Sequence, residues 1–278
     1  MRSRSAGKTV PDAVSCLLKM AFSLRVGLFP YLNVQPLIHG LGGDPDVEVV
    51  IDLPSAIADR FRRHELDLAM VPSFEAATLD APILGSACIA SDGPVETVIL
   101  HHRVPLERVK TLAVDEASRT SVALAKILIA EASGNLPQAT AFSPRSAGRP
   151  DADAVLVIGD PAFLWRADGF APMDLGQEWR RQHSLPFVFA VMVKEARGAA
   201  DGLAARISEA KKRGLEAAST IARSYNSGVD AARAEHYLRH VIRYDLGERE
   251  RQGLALFHRL AQAKGLLAQV KELEFHAI

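Results

Sequence analysis

The chain has 278 residues, 48% of them apolar and 24% charged, with Lys plus Arg equal to Asp plus Glu at 33 each. That length supports one large domain or two lobes with separate cores, and the balanced charge excludes a global field that would draw nucleic acid or an anionic membrane. Cys16 and Cys88 lie far apart without CxxC spacing, which excludes a disulfide framework, and no apolar run approaches the ~20 residues of a membrane-spanning helix.

Residues 1–20 read as a weakly ordered extension ahead of Met20. The stretch Ala13-Val14-Ser15-Cys16 faintly resembles a lipoprotein cleavage site, but Gly7, Lys8, Pro11 and Asp12 occupy the place of the apolar stretch that a signal peptide requires. The expected compartment is therefore the cytoplasm. Residues 24–29 form a first buried strand ended by Pro30, and residues 32–41 have helical spacing with Pro36 in the tolerated first turn. Residues 47–53 form a second strand. Ser55 then caps a helix over 56–64, whose Ile57, Ala58 and Phe61 share one face, and residues 66–71 form a third strand ending at Pro72-Ser73. This alternation predicts a parallel sheet with right-handed crossovers.

Residues 88–94 and 95–102 follow, the second piece alternating and long enough to pass from one lobe to another. A further unit has strands at 111–115, 139–143 and 153–158, a helix at 118–132 and a polar loop at 143–150. Residues 174–183 lead to an apolar strand at 185–193, and helices are expected at 203–218, 231–244 and 248–265. His101-His102 read as a strand exit facing water, and Lys211-Lys212-Arg213 as the solvated face of an amphipathic helix. The expected fold is α/β: a two-lobed clamp, each lobe a mixed, mostly parallel sheet flanked by helices. Residues 21–98 plus 188–278 make lobe 1, carrying the C-terminal helices, and residues 99–187 make lobe 2.

Ligands of open α/β sheets sit beyond the carboxyl ends of the strands. In this chain those ends carry Tyr31 to Asn33, Pro54-Ser55, Pro72-Ser73, Ser91 to Pro94, Ser118-Arg119-Thr120-Ser121 and Gly159-Asp160. The run 118–121 is the most informative, because a helix start offers unpaired N–H groups and partial positive charge, to which Arg119 adds a full one. The expected guest is a carboxylate or phosphate. Ser, Thr and Asn also serve as ordinary caps and turn formers, and Arg119 as a surface residue. Asp92 and Asp160, in Asp-Gly-Pro and Gly-Asp-Pro contexts, read as turn or hinge residues rather than general bases. His183 is within reach of the cleft. No cysteine or carboxylate stands at ligand spacing from His101-His102, so no metal site is expected.

Tyr31-Leu32-Asn33 with Pro36-Leu37, then residues 52–55, 66–73, 89–95, 118–122, 158–162, 174–179 and 185–190, in that order, closely resemble the menaquinone-pathway chorismate dehydratases of the futalosine route. The resemblance covers residues 24–195, and the helical tail only in general character. It implies a fold similar to type II periplasmic solute-binding proteins. It also implies the first step of that route, dehydration of chorismate to 3-[(1-carboxyvinyl)oxy]benzoate without cofactor or metal. The implied partner is this small dicarboxylate, with no nucleic acid or membrane, in a monomer or a homodimer. Asn33 is then the catalytic residue, a hydrogen-bond donor to the developing anion or the leaving hydroxyl. Ser118, Arg119, Thr120 and Ser121 suit one carboxylate, and Ser91 with the amides near Gly93, or Ser55, the other. Tyr31, Ser73, Gly159 and Asp160 complete the expected binding set, and the substrate's own side-chain carboxylate removes the proton. Pro30, Val34 and Gln35 depart from the family's pattern around the tripeptide. The Pro-Asn-Asp type motif of the sister dihydroxynaphthoate synthase is absent. Competing readings are a non-catalytic solute-binding protein for a small organic anion, the effector-binding lobes of a transcription regulator, and a different lyase for a chorismate-like acid.

Overall fold

A computed structural model describes residues 24–114, 118–143, 150–195 and 202–276. The expected extension over residues 1–20, the strand end at Asp115 and most of the loop at 143–150 lie outside them. Among the described residues the chain forms a six-stranded and a five-stranded sheet. In the first, β1 (Leu24–Leu28), β2 (Val47–Ile51) and β3 (Leu68–Pro72) run parallel, with Val26 opposite both Val49 and Leu68. β10 (Phe187–Lys194) returns antiparallel between β3 and β4 (Ile83–Ser91), and β11 (Phe275–His276) closes that edge. The second sheet holds β5 (Val98–His102), β6 (Thr111–Val114), β7 (Gln138–Ala141), β8 (Ala154–Ile158) and β9 (Ala171–Asp174), in the order β7-β6-β8-β5-β9. β6, β7 and β8 run parallel and β5 is antiparallel to its neighbours. Two mixed sheets with flanking helices are the expected α/β clamp.

The helices are α1 (Gln35–Leu41), α2 (Pro54–Arg62), α3 (Ser73–Ala76), α4 (Arg119–Ser133), α5 (Leu175–His183), α6 (Leu203–Glu216), α7 (Ala218–Ser224), α8 (Ala231–His236) and α9 (Glu248–Ala263). The late helices pack on the first sheet. α6 crosses α1 backbone to backbone: a Cβ on Gly40 would stand 1.8 Å from the Ala210 carbonyl oxygen, and one on Gly214 1.8 Å from that of Pro36. α9 lays Phe257 edge-on against Phe187 of β10, with ring centroids 5.0 Å apart, and Trp179 of α5 stacks edge-on at 5.0 Å from the same Phe187. Replacing such a fully buried Trp by Ala costs about 3–5 kcal/mol, so this aromatic cluster fixes α5 against the first sheet where the chain returns from the second.

Several expectations need correction. The second helix begins at Pro54 with Leu53 in the cap position, so Ser55 lies inside its first turn and caps nothing. β4 begins at Ile83 rather than 88 and is buried along its whole length; its Gly85, Ser86 and Ala87 hide the apolar run that marks a strand buried on both faces. The segment expected as a strand from 95 is pinned first, since Val95 and Glu96 donate backbone N–H groups to the Asp174 carboxylate, and the strand starts at Val98. The helix expected over 231–244 stops at His236, and a wider five-residue turn over Tyr237–Val241 follows, closed by Ile242 N–H to the Tyr237 carbonyl at 3.1 Å. His101 is buried against Trp165 instead of facing water, and burial lowers its pKa to about 4. Lys211 is also buried, donating to the Ser86 carbonyl at 2.8 Å and to Asp245.

Candidate functional site

The carboxyl ends of β1, β3 and β8 and the start of α4 face one another between the two sheets, around a cavity of about 60 Å³. That is room for a few waters, so the lobes lie closed on each other. Phe29, Ile89, Val95, Ile158 and Phe189 make apolar walls, while Asn33, Thr97, Ser118, Thr120 and Ser121 supply polar groups. Among the described residues lining the cavity there is no Asp, Glu, His or Lys.

Ser118 holds the cap position of α4 without a side-chain capping bond, and the first helical bond runs from Val122 N–H to the Ser118 carbonyl at 3.1 Å. The N–H groups of Arg119, Thr120 and Ser121 therefore have no acceptor inside the helix. At the start of a 15-residue helix they carry partial positive charge. Ser118, Thr120 and Ser121 are all buried here, which makes this end a concave donor surface suited to an oxyanion. Thr120 Oγ1 also accepts the Phe74 N–H at 3.1 Å, linking α4 to α3 across the two lobes. Arg119 reaches lobe 1 as well: Nη1 lies 2.6 Å from Glu75 Oε1 and 3.5 Å from Asp59 Oδ1. Glu75 is buried and also pairs with Arg62. In the closed clamp the Arg119 charge is thus matched by protein carboxylates.

On the facing side, Tyr31 is extended and Leu32–Val34 form one 3₁₀ turn that carries Asn33 into the cavity. Asn33 Oδ1 is buried without a hydrogen-bond partner. Next to this turn, the hydroxyl of Tyr237 lies 2.8 Å from Thr97 Oγ1. The Tyr31 ring lies against Gly159, where a Cβ would approach Tyr31 Cε1 to 2.8 Å. Gly159 sits at φ 65, ψ −158, a conformation that in practice only glycine adopts.

Asp160 turns away from the cavity. Its Oδ1 accepts the Leu32 N–H at 3.1 Å, and its Oδ2 lies 2.5 Å from Tyr225 Oη, which is itself 2.5 Å from the Pro30 carbonyl. A phenol has one proton and donates to one of these acceptors. All three contacts are satisfied when Tyr225 donates to Pro30 and a protonated Asp160 donates to Tyr225. Burial raises the Asp160 pKa in the same direction, against the bonds from Tyr225 and Leu32. Asp160 therefore clamps the turn that bears Asn33.

Of the residues singled out in the sequence, Tyr31, Asn33, Ser118, Arg119, Thr120, Ser121 and Gly159 meet at the cavity. Ser55, Ser73 and Ser91 do not. Ser55 is in the first turn of α2. Ser73 Oγ donates to the Val188 carbonyl at 2.7 Å, and its carbonyl accepts His258 Nε2 at 2.8 Å, so it ties α3 to β10 and α9. Ser91 Oγ donates to the Gly93 carbonyl at 3.0 Å and holds its own turn. Asp92 binds Arg180, Arg243 and Arg249, and His183 lies against Trp179 and Glu131 instead of in the cleft. Thr97 and Tyr237 had no local signal: one sits between two turn residues and a strand, the other in an ordinary helical pattern. Among the described residues no group of three His, Cys, Asp or Glu is placed to hold a metal ion, and no helix is long and apolar enough to cross a membrane.

A family model described as menaquinone biosynthesis matches residues 24–263. The chorismate dehydratase of Thermus thermophilus is 31% identical over 268 residues, covering 87% of this chain and 95% of that protein. Among solved structures, protein AF1704 of Archaeoglobus fulgidus superposes with a TM-score of 0.70 at 17% identity, covering 89% of this chain and 99% of that one. An ABC transporter protein from Parabacteroides distasonis gives 0.61 at 12% identity over 90% and 97% of the two chains. A Candida albicans protein described as exhibiting the generic periplasmic binding protein fold gives 0.55 at 13% identity over 90% and 92%. At these identities the structures show the shared two-lobed fold and nothing of the chemistry.

Proposed function

The chain belongs to the menaquinone-biosynthesis family, and we propose that it is a chorismate dehydratase, a hydro-lyase that removes water from chorismate to leave 3-[(1-carboxyvinyl)oxy]benzoate. The observation that carries this reading is the cavity itself: an oxyanion-binding helix start opposite Asn33, with neutral donors and no general base among its described lining residues.

Chorismate brings two carboxylates. One fits the N–H groups and hydroxyls at the start of α4, where the helix end favours an anion. Arg119 serves the other once the lobes part and it exchanges Glu75 for the substrate. The turn at Ser91 to Gly93 is closed on itself and is withdrawn from that role. The reaction breaks a ring C–H bond and the adjacent C–OH bond and forms the double bond that completes the aromatic ring. With no carboxylate or imidazole among the described residues that line the cavity, the substrate's side-chain carboxylate takes the ring proton and passes it to the hydroxyl, which leaves as water. Asn33 holds that hydroxyl in the dry cavity, where a placed hydrogen bond is worth more than in water. Aromatisation supplies the driving force, so the protein mainly orients and desolvates.

The test is direct. Purified protein mixed with chorismate should yield an ultraviolet-absorbing aromatic acid lighter than chorismate by one water, without added metal or cofactor. Tight binding of chorismate with no such product would overturn the enzymatic reading in favour of a solute-binding role.

A further inference from the structure

Tyr225 stands at the carboxyl end of α7, a helix that packs on α1, into which the Asn33 turn runs. It does not line the cavity. Its hydroxyl lies 2.5 Å from the Pro30 carbonyl oxygen and 2.5 Å from Asp160 Oδ2, while Asp160 Oδ1 accepts the Leu32 N–H at 3.1 Å. One pair of side chains therefore holds both peptide groups that flank Tyr31. The Tyr31 carbonyl in turn accepts the Val34 N–H at 3.0 Å and closes the 3₁₀ turn around Asn33. The two side chains come from different parts of the fold. Tyr225 reaches Pro30 from the late helices, beside the first sheet, whereas Asp160 follows β8 of the second. The phenol spends its one proton on the Pro30 carbonyl, which accepts only, and its oxygen is then free to accept from the Asp160 acid.

Resting on the dehydratase reading above, we infer that Tyr225 is a positioning residue: it is the dock on which Asp160 closes, and the closed pair fixes the backbone on both sides of Tyr31, so that the turn bearing Asn33 takes its working geometry only with the lobes shut. Parting the lobes takes the Asp160 acceptor from the Leu32 N–H and leaves the turn held at Pro30 alone. The Tyr31 ring, seated on Gly159 next to Asp160, leaves its place in the same movement. A misplacement of about 1 Å at a reacting group costs about 100-fold in rate, so groups that never touch the substrate control turnover from beneath Asn33. Chorismate entering an open cleft meets the complete site only after closure, when water has been excluded.

The experiment compares Tyr225→Phe, Asp160→Ala, Asp160→Asn and the double variant Tyr225→Phe/Asp160→Ala, with the melting temperature as the control for folding. The expected result is a kcat lower by about 10- to 100-fold in Tyr225→Phe and in Asp160→Ala, with KM within about threefold of the parent, because the groups at the start of α4 are untouched. The double variant should lose less than the product of the two. Asp160→Asn keeps an acceptor for Leu32 and a donor for Tyr225, so it should restore kcat to within about threefold of the parent. An unchanged kcat, a loss confined to KM, losses that multiply, or an Asp160→Asn variant as slow as Asp160→Ala would overturn the assignment. Should Asp160→Ala not fold, Tyr225→Phe, which keeps the ring, carries the test. A second readout needs no turnover: amide hydrogen exchange at Leu32, followed by NMR, should be faster by at least about tenfold in Asp160→Ala and in Tyr225→Phe and stay slow in Asp160→Asn. If it does not change, the clamp is absent whatever the protein does with chorismate. If it changes while the parent does not convert chorismate, the clamp stands and the dehydratase reading fails.

Discussion

Arg119 Nη1 lies 2.6 Å from Glu75 Oε1, so the first turn of α4 is bound to a buried carboxylate of the opposite lobe. In the proposed binding mode the pair competes with the substrate for the same guanidinium. Arg119→Ala leaves Glu75 with Arg62 as its remaining cation. Because the Arg119 side chain is 36% exposed, the loss of stability is expected to be roughly 1–2 kcal/mol rather than the full cost of an orphaned buried charge. Chemical denaturation measures that loss. In the same variant the KM for chorismate should rise at least about tenfold, the equivalent of one lost charge-assisted hydrogen bond; an unchanged KM removes Arg119 from the binding set.

Asn33→Ala should lower kcat by about 10²- to 10³-fold, the usual effect of deleting one placed hydrogen-bonding group at a reacting oxygen. The side chain is only half-buried and packs no core, so the melting temperature should hold. Full turnover by this variant would contradict the role given to Asn33.

Gly159→Ala adds a Cβ 2.8 Å from Tyr31 Cε1 at φ +65. Backbone strain and the clash together should cost about 2–4 kcal/mol. Adding Tyr31→Ala relieves the clash and not the strain, so the double variant should recover part of the loss. Equal destabilisation in both backgrounds would show that the two residues do not meet.

Asp160 makes the stability of the closed clamp depend on pH. Its pKa is raised by burial, above the ordinary carboxylate value near 3.9. Its contribution is therefore complete below that value and is lost as pH rises through the raised one. Tyr225, hydrogen-bonded to Asp160 and itself shifted upward, stays a neutral phenol throughout. Asp160→Asn cannot ionise, so its melting temperature relative to the parent should climb as pH increases from about 4. The comparison must be a difference. Burial raises Asp174 too, and it lowers the pKa of His101 and His258 to about 4, which penalises acid. A difference that stays constant with pH would mean that Asp160 is ionised in the closed form.

The fold was legible because apolar strands and amphipathic helices alternate from residue 24 onward, and the helix start at 118–121 announced itself through three hydroxyl residues after a strand. Ser55, Ser73 and Ser91 looked the same by that criterion. What separates them is where each hydroxyl finds its acceptor, for Ser73 a carbonyl 115 positions away on β10, and no local pattern encodes that. Asp160 was read as a turn residue; its contacts with Leu32 and Tyr225 exist only because the lobes close on each other. Tyr237 was hidden for the same reason. It belongs to the late helices by sequence, and its hydroxyl meets the cavity residue Thr97 from 140 positions away.

The account stands most directly on where chorismate binds. A crystal structure of Asn33→Ala soaked with chorismate should place one carboxylate on the N–H groups of Thr120 and Ser121 and the ring hydroxyl toward position 33. Chorismate found away from the start of α4, or a cleft that stays closed and empty at saturating ligand, would contradict it.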